Sequence, residues 1–157
     1  MKNRMAESRV KETLQQVGIA GTPQRLEVLQ VLQNAGRPLS VNLIRGRLEE
    51  TMHINKVTVY RIISLFRQKG IIRDVSGAGG AAYLEMATSD HPVHPHFNCK
   101  VCGMLNCLAP LTFSQARQLT ASRGSYRVDH IEINISGLCD GCLHATKLHN
   151  LPQVKGT

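Results

Sequence analysis

The chain has no tryptophan and only three phenylalanines and three tyrosines in 157 residues. A small domain so short of large aromatic side chains must find part of its stability outside a hydrophobic core. No apolar run is long enough to cross a bilayer as a helix, which excludes a helical membrane protein. Residues 1–12 lack the apolar stretch of a secretory signal, so export is not expected. The five cysteines are an odd number. That argues against a disulfide framework and for a reducing, cytoplasmic setting. Catalytic signatures are missing as well. There is no His-Glu-x-x-His, no Gly-x-Ser-x-Gly and no phosphate-binding loop. No glutamate follows His91, His94 or His96 at the spacing zinc deaminases use. The sequence does not read as an enzyme.

Positive charge, by contrast, is abundant and lopsided. Nineteen Lys and Arg stand against eleven Asp and Glu, a formal net charge of +8. Residues 1–75 hold thirteen basic and six acidic side chains, net +7, whereas residues 76–157 hold six and five, net +1. A basic half beside a nearly neutral one suggests one domain that meets a polyanion and another with a different task.

Apolar spacing and capping residues divide the basic half into helices. Residues 4–17 carry Val10, Leu14 and Val17 on one stripe. Thr22-Pro23 reads as an N-cap and first helical position, opening a helix that turns Leu26, Leu29, Val31 and Leu32 inward. Arg37-Pro38 reads as a linker. Ser40 caps a third helix with Val41, Ile44 and Leu48 on one face. Asn55 caps a fourth, whose Val59, Ile62, Ile63 and Phe66 face the core. The opposite side of that fourth helix presents Lys56, Thr58, Tyr60, Arg61, Ser64 and Gln68, a mixture suited to phosphates and base edges in a major groove. Residues 71–75 and 81–85, around a Gly-Ala-Gly-Gly turn, read as a β-hairpin. Residues 1–86 thus predict a winged helix-turn-helix, with any small helical bundle plus hairpin as the plainer alternative.

Residues 87–92 read as a hinge. Residues 93–150 read as a small α/β unit. Its expected elements are short strands over 96–100 and 104–108, a helix over 112–121, and a strand over 126–136 with a bulge between Val128 and Ile131. The chain is expected to fray from Lys147, with residues 151–157 a flexible tail. The predicted fold class is α+β.

Metal-ligating residue types crowd into residues 91–108. Cys99 and Cys102 form a Cys-x-x-C pair, and Gly103 gives the turn its backbone freedom. Cys139 and Cys142 form a second pair. Two such pairs supply four soft ligands for a closed tetrahedral Zn²⁺ site. His94, His96 and Cys107 are left over, and function is expected there.

The motifs Thr-Pro-Gln-Arg at 22–25, Thr-Val-Tyr-Arg at 58–61, His-Pro-His-Phe-Asn-Cys-Lys-Val-Cys-Gly at 94–103 and Cys-Asp-Gly-Cys at 139–142 follow a familiar order. In them the chain resembles the ferric uptake regulator family, from about residue 9 to 142. The resemblance implies a homodimeric, metal-dependent repressor. Its winged helix would bind a double-stranded DNA operator, with Arg25 joining the helix residues named above. Its C-terminal α/β domain would dimerise, with structural zinc on Cys99, Cys102, Cys139 and Cys142. A second, sensing site would lie at the hinge. Glu85 stands where the family often has a hinge carboxylate, and His94 and His96 match the sensing pair. Cys107 stands where iron-sensing members usually have Glu or Asp.

A thiolate with two imidazoles and a carboxylate suits tetrahedral Zn²⁺ better than Fe²⁺ or Mn²⁺. The chain is therefore most similar to the zinc uptake regulators, which control metal-uptake genes. The alternatives are Fe²⁺ or Mn²⁺ sensing, a thiol- or peroxide-responsive regulator using Cys107, and Cys107 as a packed strand residue. His91 and His130 are further candidate ligands. A histidine that relatives carry near Arg37-Pro38 is absent, and Pro95 and Ser114 replace carboxylates of an additional metal site.

Overall fold

Four helices open the described chain, the second to fourth each starting after an N-cap residue. The computed structural model describes residues 2–89, 91–121 and 131–149. Helix α1 covers Lys2–Gln16, α2 Pro23–Asn34, α3 Val41–Glu49 and α4 Lys56–Gln68. The Ser40 side chain accepts a hydrogen bond from the Leu43 N–H, and the Asn55 side chain accepts one from Val57 at 2.9 Å, so both expected caps are formed. Thr22 holds the N-cap position without a side-chain bond; Pro23, with φ fixed and no N–H to satisfy, starts that helix instead. In α2 the fully buried residues are Val28, Leu29 and Leu32, while Leu26 and Val31 are only partly buried. Helix α2 lies against α1, α3, α4 and strand β2, so its buried face is wider than one stripe.

Strands β1 (Ile72–Ser76) and β2 (Ala82–Met86) form the predicted antiparallel hairpin, with Arg73 opposite Glu85. Gly79 and Gly80 turn the chain at φ of 67° and 79°, a region that favours glycine. The segment read as a linker does more than connect. Leu39 exchanges two backbone hydrogen bonds with Leu84, at 2.9 and 2.8 Å, an isolated antiparallel bridge that ties this segment to the edge of the hairpin.

Past residue 87 the described chain forms a three-stranded sheet in the order β4-β3-β5. Central β3 (His96–Cys99) pairs antiparallel with β4 (Leu105–Cys107) and parallel with β5 (Asn134–Gly137). Helix α5 (Phe113–Thr120) starts at a capping box between Thr112 and Gln115. Two expectations need correction. Residues 131–133, expected in the last strand, lie outside it: β5 begins at Asn134, which faces His96, the first residue of β3, and one further bond, from His96 N–H to Ile133 O, precedes it. Residues 126–130, with the expected bulge and His130, lie outside the described residues, as does the tail 151–157. The chain also does not fray at Lys147: a helix not foreseen, α6, runs over Asp140–His149.

The hydrophobic core lies almost wholly in the helical part, around Leu14, Leu29, Leu32, Leu48, Val59, Ile63, Phe66 and Leu84. Among the described residues beyond 87, the buried apolar side chains are Pro95, Cys99 and Leu105. Phe113, 83% exposed, and Leu119, Ile135 and Leu143 show apolar surface there instead.

Candidate metal centres and nucleic-acid interface

The sheet brings the two cysteine pairs together. Cys99 ends β3, and the chain turns back through Gly103, whose N–H donates to Cys99 O at 3.0 Å and whose φ is 70°. Lys100 N–H reaches Gly137 O, which sets the end of β5 beside that turn. Cys139 and Cys142 then fall at the start of α6. The four sulfurs lie within 4.8 Å of one another, with Cys102 and Cys139 3.6 Å apart. Cys139 N–H donates to Cys99 Sγ at 3.4 Å. Backbone N–H groups of Cys102 and Cys139 hold the Cys99 thiol down at about 6. The neighbouring Cys139 sulfur, then burial, push Cys142 up to about 12. At Cys102 the Met104 N–H favours the thiolate, but the sulfurs of Cys99 and Cys139 outweigh it and the net shift is upward. The Cys99 thiolate forms readily while Cys102 and Cys142 resist, as in a cluster that needs a cation to collect its thiolates. The four soft donors fit a closed Zn²⁺ site.

A second cluster joins the hairpin to the sheet. His96 is paired across the ladder with Cys107, so the two side chains share a face. His94 precedes β3, its ring centroid 4.7 Å from that of His96. Glu85 enters from β2. Its Oε2 lies 3.0 Å from His96 Nε2, 3.3 Å from His94 Nε2 and 3.9 Å from Cys107 Sγ. One donor atom from each of the four lies within 4.8 Å of the others. Glu85, His94 and His96 are buried, and Cys107 is the most open of the four. His94 Nδ1 sits 2.8 Å from Pro92 O. That contact fits an Nδ1–H tautomer and leaves Nε2 free to ligate. His94 Nε2, the nitrogen turned toward Glu85, is buried without a hydrogen-bond partner among the described residues, as a ligand nitrogen would be before a metal arrives. Burial pushes the Glu85 carboxyl up, but hydrogen bonds from His96 and Arg73 and the Arg73 charge outweigh it and hold it below its usual value. Burial, then the Glu85 charge, push the Cys107 thiol up to about 11. A set of two nitrogens, one sulfur and one oxygen fits Zn²⁺.

Beside this cluster opens a cavity of about 230 Å³, with Gly36, Arg37, Glu85, His91, His94 and Cys107 among its lining. His91 lines it but stays outside the ligand cluster, its Nδ1 3.3 Å from Thr88 Oγ1. Arg73 was not singled out from the sequence. It donates to Glu85 Oε1 at 2.6 Å and to the carbonyls of His91 and Pro92. Its signal was available in the hairpin: counting back from the glycine turn places Arg73 opposite Glu85, an opposite-charge cross-strand pair. A second bridge joins hairpin and sheet, from Ser76 N–H to Glu132 Oε1 at 2.7 Å.

Helix α4 buries Val59, Ile62, Ile63 and Phe66, as its spacing predicts. That leaves Lys56, Tyr60, Arg61 and Ser64 exposed and Thr58 partly so. Lys56 Nζ lies 5.9 Å from the centre of the Tyr60 ring. Arg25 donates to Ala20 O at 3.0 Å and, with Thr58 and Arg61, borders a cavity of about 300 Å³ between α2 and α4. Val57 is exposed on the same helix, an apolar group the charge pattern did not single out.

A winged helix with an exposed cationic helix face, joined to a sheet bearing two clusters of side chains able to bind metal, fits the class of metal-responsive DNA-binding regulators. A sequence profile of the ferric uptake regulator family matches residues 16–136, and the chain belongs to that family. The peroxide operon regulator of Bacillus subtilis is 26% identical over 132 residues, covering 83% of this chain and 89% of that protein. The solved ferric uptake regulator of Vibrio cholerae is 25% identical with a TM-score of 0.65, covering 82% of this chain and 98% of its own. A zinc uptake regulator solved with zinc and DNA shares the fold, with a TM-score of 0.66 at 22% identity, covering 94% and 99% of the two chains. Proteins of this family are transcription regulators, and this one is a metal-responsive DNA-binding regulator, not an enzyme. Among the described residues no helix is long and apolar enough to cross a membrane.

Proposed function

We propose that the chain is a cytoplasmic, homodimeric repressor that senses zinc and controls metal-uptake genes. The observation that carries this reading is the convergence of Glu85, His94, His96 and Cys107, one thiol among three harder donors, within 4.8 Å. Those residues would hold the regulatory Zn²⁺, which would supply the positive charge that lets a carboxylate and a thiolate share one small space. Cys99, Cys102, Cys139 and Cys142 would hold a structural Zn²⁺. Glu85 belongs to the DNA-binding unit, residues 1–86, and the other three sensing residues to the dimerisation unit, residues 93–150, across the hinge at 87–92. The four side chains therefore approach one another only when the two units are docked. A docked dimer that fits DNA and binds zinc more tightly than an open one is all the coupling requires, and DNA must then tighten zinc binding by the same factor. The apolar surface at Phe113, Leu119, Ile135 and Leu143 suits burial against a second copy.

The thiol-redox alternative loses ground on one observation. A Cys107 thiol pushed up to about 11 is a poor thiolate source and a slow nucleophile toward peroxide. Iron and manganese are separated from zinc by experiment: operator binding titrated with buffered Zn²⁺, Fe²⁺ and Mn²⁺ in turn. Zinc is expected to give the tightest complex at the lowest free metal, and activation by Fe²⁺ alone would overturn the reading.

Arg25, Lys56, Thr58, Tyr60, Arg61 and Ser64 would contact the operator. Tyr60→Ala and Arg61→Ala are each expected to weaken operator binding by about 1–3 kcal/mol in a sequence-dependent way. Zinc content per chain should not change, since neither residue touches a cysteine or the Glu85 cluster. Fluorescence anisotropy on matched and scrambled operators checks this. Equal loss on both would reduce these side chains to phosphate contacts.

A further inference from the structure

The Glu85 carboxylate is divided between two partners. Oε2 faces His96, His94 and Cys107 at 3.0, 3.3 and 3.9 Å. Oε1 faces the other way and accepts from Arg73 Nε at 2.6 Å. The same guanidinium donates through Nη1 to His91 O at 3.0 Å and through Nη2 to Pro92 O at 2.9 Å. Its Nη2 is also 3.5 Å from His94 Nδ1, but that nitrogen has the shorter contact to Pro92 O, at 2.8 Å. Arg73 is thus pinned in place by two backbone carbonyls, and from there it claims one oxygen of the metal-site carboxylate.

A carboxylate can give a metal one oxygen or two. With both, this cluster offers five donors; with one, it offers four. Zn²⁺ accepts four donors readily, whereas Fe²⁺ and Mn²⁺ are better served by more oxygen ligands and a higher coordination number. We infer that Arg73 is a specificity-determining residue: by holding Glu85 Oε1 outside the cluster, it limits the carboxylate to one donor oxygen and keeps the sensing site four-coordinate. This inference rests on the reading of Glu85, His94, His96 and Cys107 as ligands. It assigns selectivity to a residue that touches no metal.

The test uses the full chain with zinc in the four-cysteine site and Co²⁺ as the probe of the second site. Four-coordinate Co²⁺ absorbs strongly in the visible, higher coordination absorbs weakly, and a cysteine ligand adds a near-ultraviolet charge-transfer band. The parent chain is expected to show both the strong visible bands and the charge transfer. Arg73→Met should keep the charge transfer but lose visible intensity, and its preference for Zn²⁺ over Mn²⁺ should fall roughly tenfold or more. Arg73→Lys keeps a cation for Oε1 while giving up both carbonyls, and should retain the four-coordinate spectrum. Undiminished visible bands and unchanged metal preference in Arg73→Met overturn the inference while leaving the ligand set intact. Should Arg73→Met fail to fold, Arg73→Lys decides alone, and loss of its four-coordinate spectrum reduces Arg73 to a structural clamp. A parent chain without the charge-transfer band refutes the ligand set itself, and the inference falls with it.

Discussion

Cys99→Ser is expected to abolish the folded C-terminal sheet and the dimer with it. Cys99 is wholly buried at the end of the central strand, and its sulfur accepts the Cys139 N–H. Few other buried groups hold this part of the chain together. Pro95, Cys99 and Leu105 are the buried apolar side chains described beyond residue 87, and β4 and β5 are three and four residues long. Such short strands around so small a core do not fold alone. Binding of structural zinc to four thiolates supplies roughly 10–16 kcal/mol in small metal-dependent domains, and that binding energy is folding energy. Serine replaces a soft anionic ligand by a neutral hydroxyl, so most of that contribution is lost. The helical unit has its own core around Leu29, Ile63 and Phe66 and should keep its thermal transition. Zinc content, light scattering and circular dichroism, read together, check the outcome. A zinc-free dimer with native sheet signal would remove the structural-zinc assignment. Cys102→Ser, Cys139→Ser and Cys142→Ser should behave alike, because each removes one of the four thiolates a closed site needs.

The same contrast between the two halves explains what could be read from the sequence. Helix α4 was legible in full because three local signals agree: Asn55 as cap, an apolar spacing from Val59 to Phe66, and a stop at Gly70. The hairpin was legible because its glycines need positive φ and its flanks alternate. Burial in the helical half follows periodicity because a single core sits behind every stripe. The described C-terminal half has no such core, so Ile131 and Ile133, alternating with Ile135, suggested strand at 131–133, where the described chain has none. Helix α6 went unforeseen because Cys139 and Cys142 read as metal ligands while its apolar pattern is weak. The four cysteines could be grouped from spacing alone. Bringing Glu85 to His96 and Cys107 needs long-range register, His96 opposite Cys107 and the hairpin docked on the sheet, which only the resemblance suggested. Arg73 lay hidden for the opposite reason. One arginine among thirteen basic residues in a basic half does not stand out, yet this one turns inward to a carboxylate and two carbonyls.

Cys107→Ser is expected to leave the structural zinc and the dimer intact while raising the free zinc needed for operator binding roughly a hundredfold or more. Loss of a mere outer partner of a ligand already costs about 10–100-fold in affinity, and a ligand should cost at least as much. Cys107 lies in β4 opposite His96, away from the four-cysteine cluster, so the fold has no reason to follow it. The proton provides an independent reading. The free thiol is pushed up to about 11, so it is protonated at pH 7 and must lose its proton to ligate. Zinc binding should therefore release about one proton from this group, and affinity should rise by about tenfold per pH unit from it, up to the thiol's own pKa. Low pH opposes binding and high pH favours it. Calorimetry in buffers of different ionisation enthalpy counts that proton, and in Cys107→Ser it should disappear. Cys107→Glu, which swaps a soft donor for a hard one, should shift preference toward Fe²⁺ and Mn²⁺. An unchanged zinc midpoint and an unchanged proton count in Cys107→Ser would make Cys107 a packing residue, and the case for zinc over iron would lose its main support.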